Sequence, residues 1–152
     1  ITRAHYAKFL LSKSYVKSMK EAFDRYLGDH TPYFVHREKI TPEEVIQVTL
    51  QAGGVPILAH PTLYKLGKEQ LDILVSTLTE KGLKGIECVY STYTNSDERE
   101  IKALAAKYNL LPSGGSDFHG TNKPGLDLGI GYGKLYVPDE YMTRLQNISP
   151  LN

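Results

Sequence analysis

From Thr41 onward one pattern repeats: an amphipathic helical stretch, a glycine stop, then a short apolar run. Thr41-Pro42-Glu43-Glu44 reads as a helix start, with threonine as N-cap, proline at the first helical position and acids in the first turn. That helix is expected to reach about Ala52 and to stop at Gly53-Gly54. Residues 55–59 form an apolar run that ends at His60-Pro61, the signature of a buried strand. Residues 68–81 place Leu71, Leu74, Val75 and Leu78 on one helical face, closed by Gly82. Residues 85–90 are the next strand. Residues 96–108 are the next helix, with Ile101, Leu104 and Ala105 inward, and residues 110–113 are a third strand. A fourth short strand is expected at 134–137 and a closing helix at 138–145. Strands and helices joined by short links imply right-handed crossovers and a parallel sheet, so the fold class is α/β.

The first 39 residues differ. Tyr6, Phe9 and Leu10 recur at helical spacing in residues 3–11, as do Ala22, Phe23, Tyr26 and Leu27 in residues 19–27, with Gly28 as a stop. Residues 29–39 are polar and irregular and read as a loop. Residues 120–133 are rich in glycine and read as another. The domain reading is therefore a helical segment, 1–39, followed by β/α units over 40–152.

Composition narrows function mainly by exclusion. A formal net charge of +1 over 152 residues provides no global field for nucleic acid or an anionic membrane. No apolar run approaches the ~20 residues that span a bilayer. The single cysteine, Cys88, excludes an internal disulfide and reads as a core thiol rather than a nucleophile. A cytoplasmic protein is the expectation. The chain opens on Ile1-Thr2-Arg3 without methionine, and the expectation is a segment of something longer.

Three residues stand where chemistry gathers. His60 directly follows the 55–59 strand, and Asp117 and His119 directly follow the 110–113 strand. In parallel α/β folds, ligands collect at the carboxyl ends of strands. Asp117-Phe118-His119 is an i, i+2 pair, which projects to one side of an extended segment. A carboxylate beside an imidazole can clamp one divalent cation or bridge two, and suits Zn, Mn or Fe. Gly114-Gly115-Ser116 before it permits a tight bend. Spacing alone leaves the substrate open.

Leu58-Ala59-His60-Pro61 and Gly114-Gly115-Ser116-Asp117-Phe118-His119-Gly120 resemble two late motifs of the PHP family (polymerase and histidinol phosphatase). Thr2-Arg3-Ala4-His5-Tyr6-Ala7, Ala22-Phe23-Asp24-Arg25-Tyr26-Leu27-Gly28 and Gly85-Ile86-Glu87-Cys88-Val89-Tyr90 are similar to segments of one branch of it. That branch contains phosphoesterases acting on nucleoside bisphosphates and short RNA 5′ ends. The resemblance implies part of a distorted (β/α)7 barrel, with residues 1–39 belonging to a helical insertion that caps the site. It implies His60, Asp117 and His119 as metal ligands, and two or three divalent ions (Mn, Zn or Fe) in the full-length protein. It also implies that Arg3 and His5 face a substrate phosphate.

The departure from the family is large. Its first motif, His-x-His followed by aspartate, is absent, since the histidines are at 5, 30, 36, 60 and 119. The expected partner is therefore the missing N-terminal half of the barrel, and the isolated segment is expected to be inactive. The substrate is expected to be a small molecule or short nucleotide phosphate, with neither long nucleic acid nor membrane involved. Arg37, in the loop before Thr41, and Ser91, after the 85–90 strand, are further candidate substrate contacts. Glu87 lies inside a strand near the rim and is a candidate for orienting a ligand, since a buried carboxylate needs a partner. Two other functions compete with a hydrolase: a non-catalytic nucleotide- or phosphate-binding module, and an accessory module of a DNA polymerase.

Overall fold

The computed structural model describes residues 2–35 and 40–148. The chain divides into two compact units, Ile1–Lys39 and Ile40–Asn152.

In the first unit, α1 (Arg3–Ser12) is followed by α2 (Met19–Ala22), which runs on into a π-helical turn, Phe23–Leu27. Ser18 caps α2, its hydroxyl accepting from the Glu21 amide at 3.0 Å. Ala7, Val16 and Ala22 are buried together, with Leu10, Met19, Phe23 and Tyr26 packed against them. The helix expected over 19–27 thus changes its winding midway. The amide of Gly28 reaches back to the Phe23 carbonyl at 2.8 Å, a five-residue step in place of four.

In the second unit, three parallel strands lie in the order β1 (Ile57–Leu58), β2 (Gly85–Tyr90), β3 (Leu111–Gly115). Helix α3 (Pro42–Gln51) precedes β1, α4 (Lys68–Glu80) joins β1 to β2, and α5 (Asn95–Lys107) joins β2 to β3. Local chemistry sets the helix starts. Thr41 accepts from the Glu44 amide at 3.2 Å while Glu44 accepts the Thr41 amide at 2.7 Å. Thr94 and Asp97 repeat that reciprocal arrangement at the start of α5. The periodic faces become the core: Ile46, Leu71, Val75, Leu78, Ile86, Ile101 and Leu110 are all buried in one cluster. Cys88 is fully buried there, and burial pushes its thiol up to about 12, which removes it as a nucleophile.

Two expectations need correction. The strand expected over 55–59 shrinks to Ile57–Leu58. The strand expected at 134–137 does not form. That stretch follows a tight turn in which Asp127 and Gly131 exchange backbone hydrogen bonds of 2.9 and 3.0 Å. The last helix, α6 (Asp139–Ile148), follows it. Among the described residues the sheet has three strands, so the outer edges of β1 and β3 carry no strand partner. No helix among the described residues is long and apolar enough to cross a membrane.

Candidate metal centre

The candidate ligands sit on the segments that leave β1 and β3, with β2 between them. Both segments turn through left-handed backbone at the candidate itself. His60 has φ 31° and ψ 56°, and Asp117 has φ 57°. Left-handed backbone suits Asp better than His, and Pro61 restricts His60 further. Such conformations persist only where the surroundings enforce them, and they cluster at working sites.

Glu87 enforces the first. Its Oε2 accepts the backbone N–H of His60 at 2.7 Å, so β2 grips the turn after β1. Burial raises the Glu87 carboxyl above the usual carboxylate range, against the lowering effect of that N–H, and the Asp117 charge raises it further. Tyr90 enforces the second. Its hydroxyl donates to Asp117 Oδ2 at 2.8 Å, and its ring packs 5.5 Å from the His60 ring. Between these two residues the pairing of β2 with β3 shifts register, from Glu87↔Ser113 to Val89↔Gly114. The extra residue is a bulge, the device that re-aims side chains beside a site.

Asp117 also pairs with Lys123 through the same Oδ2. That ammonium is the leading cause holding the Asp117 carboxyl below the usual range. His119 folds back onto the same residue. Its Nδ1 lies 2.7 Å from the Asp117 carbonyl and 3.3 Å from Oδ1. A carbonyl only accepts, so Nδ1 carries the proton and Nε2 is left with its lone pair free to ligate. The His60 Nδ1 is buried and has no hydrogen-bond partner among the described residues. A buried imidazole nitrogen without a partner is costly unless something fills its lone pair.

The donors therefore suit a divalent cation, but as a partial set. Among the described residues no three His, Cys, Asp or Glu side chains stand close enough to hold one ion. Asp117 and His119 touch, whereas His60 reaches Asp117 through the Tyr90 ring.

The other candidates are placed as follows. Ser91 donates to the Ser116 carbonyl at 2.8 Å, bracing the turn that carries Asp117. In the first unit, Arg3 bonds the Leu27 carbonyl at 3.1 Å and ion-pairs with Asp29, and His5 Nδ1 lies 2.7 Å from the Thr2 hydroxyl. Arg37 lies outside the described residues. Tyr90 and Lys123 were missed as candidates in the sequence: a strand tyrosine and a loop lysine carry no spacing signal. A cavity of about 500 Å³, lined by Ile40, Val45, Ile57, Leu58 and Leu83, is apolar and holds none of the candidate ligands.

No family model matches the chain. It is 30% identical over 129 residues to a 3′,5′-nucleoside bisphosphate phosphatase of Chromobacterium violaceum, covering 85% of this chain and 45% of that one. It is 33% identical over 138 residues to the 5′-3′ exoribonuclease Rnm of Escherichia coli, covering 91% and 46%. Among solved structures, a Bifidobacterium adolescentis protein described as a metal-dependent phosphoesterase superposes with a TM-score of 0.72 at 27% identity, covering 98% of this chain and 51% of that one. The chain thus spans about half the length of the curated relatives it matches. By sequence and by fold the chain is similar to these phosphoesterases over about half of their length.

Proposed function

We propose that the full protein is a metal-dependent phosphoesterase that hydrolyses a phosphomonoester or phosphodiester of a nucleotide or short RNA. Asp117, His119 and His60 would contribute to its metal centre, with the remaining ligands coming from outside this chain. One observation carries the reading. Asp117 and His119 are locked together with an imidazole lone pair left free, and a positive charge already rests on the carboxylate.

A divalent cation there would acidify a water and polarise a phosphoryl oxygen. The chain's own residues fix the donors. Tyr90 takes up one lone pair of Asp117 Oδ2, which turns Oδ1 toward His119. Glu87 holds the His60 turn in its strained form, so that the ring stays beside Tyr90. Ser91 and the Gly129 amide hold Ser116 through its carbonyl and hydroxyl, which fixes the approach of the Asp117 turn. The relatives' names support a nucleotide or RNA substrate. The partial donor set supports a second statement: this chain by itself is inactive.

The test is turnover of a nucleoside 3′,5′-bisphosphate and of a short 5′-phosphorylated RNA by the full protein with Mn²⁺. The expected result is turnover of at least one of them, lost in His119→Ala, and none by the 152-residue chain. Full turnover by His119→Ala ends the reading.

A further inference from the structure

Lys123 already rests a positive charge on the Asp117 carboxylate. Its Nζ pairs with Oδ2, the oxygen that also accepts the Tyr90 hydroxyl. The pair is open to solvent on one side: the Lys123 side chain is 39% exposed and that of Asp117 is 20% exposed. The backbone at Lys123 lies in consecutive turns, its carbonyl accepting the Leu126 amide at 3.3 Å. Its amide bonds the Gly120 carbonyl at 3.2 Å, and Gly120 and Gly125 lie on either side at φ 59° and 80°. Among the described residues a Cβ at either glycine would meet nothing within 4 Å. The lysine itself is a compact charge on a flexible four-carbon stem.

We propose that Lys123 is a two-position residue: it neutralises Asp117 when no divalent cation is bound, and turns to the substrate's phosphate when one is. The proposal rests on the metal-centre reading above. An ammonium and a divalent cation on one carboxylate repel each other, so a cation bound there weakens the Lys123 pair. The displaced ammonium stays within a side chain's length of the site. A phosphate drawn to the cation presents oxygens there, and a lysine ammonium binds phosphate as a point charge. Lys123 thereby keeps the Asp117 carboxylate paired before the cation arrives and contributes to substrate binding afterwards.

The test is amine acylation of the full protein, read lysine by lysine by mass spectrometry, with Mn²⁺ occupancy followed separately by electron paramagnetic resonance. Three states are compared: chelator, Mn²⁺, and Mn²⁺ with inorganic phosphate. Exposed Lys134 serves as the reference. Lys123 is expected to react slowly in chelator and roughly fivefold faster with Mn²⁺, the scale of releasing one accessible ion pair. It is then expected to slow again with phosphate. If Mn²⁺ binds and the Lys123 rate does not rise, the placeholder role is overturned while the metal centre stands. A rise with no slowing by phosphate overturns the phosphate role. If no Mn²⁺ binds, the metal-centre reading falls, and this proposal with it.

Discussion

The hydroxyl of Tyr90 donates a 2.8 Å hydrogen bond to Oδ2 of Asp117, fastening the end of β2 to the turn that follows β3. The same ring lies 5.5 Å from that of His60, so one side chain touches both candidate ligand turns. Removing only the hydroxyl, in Tyr90→Phe, keeps the ring packing and frees the carboxylate. The expected result, by calorimetric titration of the full protein, is Mn²⁺ affinity lowered about 10- to 100-fold, the usual cost of losing such a supporting bond. Unchanged affinity would remove Tyr90 from the site.

Glu87 acts on the other ligand turn. Its carboxylate is the acceptor for the His60 amide at 2.7 Å. Glu87→Ala leaves that N–H without its partner and releases a strained residue, so a loss of roughly 1–3 kcal/mol is expected in denaturant unfolding. Glu87→Gln keeps an acceptor oxygen and should cost distinctly less. Equal losses for the two variants would mean that the carboxylate charge, not the hydrogen bond, holds the turn.

Gly114 is a packing prediction. A Cβ there would stand 2.9 Å from both the Cβ and the carbonyl oxygen of Val89. Backbone cannot yield as a side-chain tip can, so Gly114→Ala should destabilise by about 1–3 kcal/mol. Among the described residues a Cβ at the adjacent Gly115 would meet only the Glu87 Oε1, at 3.4 Å, and Gly115→Ala should be milder. Thermal melts of the two variants side by side decide it.

The pH dependence follows from Asp117. Its carboxyl is held below the usual range by Lys123, with Tyr90 and His119 adding to the effect. A depressed carboxylate contributes stability above its unfolded pKa, near ~4, and that contribution is lost as pH falls through the folded value. Acid unfolding of metal-free protein should therefore begin at higher pH for Asp117→Asn than for the parent. Asparagine also tolerates the left-handed backbone of this position, so the variant isolates the charge. Superimposable acid limbs would show that the ion pair contributes nothing.

The β/α alternation was legible because its causes are local. Thr41 and Thr94 have their capping partners three residues on, and Leu71, Val75 and Leu78 mark one helical face by spacing alone. The strand expected at 134–137 failed because a short apolar stretch shows no preference between pairing and loop, and the Asp127–Gly131 turn decides its path. His60, Asp117 and His119 were visible as residue types at strand ends. Their local arrangement was not. The left-handed turns at His60 and Asp117, the register shift in β2, and the Tyr90 and Lys123 contacts arise from segments distant in sequence or from a loop without periodicity.

The central claim is that Asp117 and His119 hold a divalent cation. Mn²⁺ binding by the full protein, measured by electron paramagnetic resonance, tests it with no substrate involved. Asp117→Asn and His119→Ala are each expected to bind fewer ions or to weaken binding by at least about 10-fold, with circular dichroism unchanged. Parent-like Mn²⁺ stoichiometry and affinity in both folded variants would contradict the account.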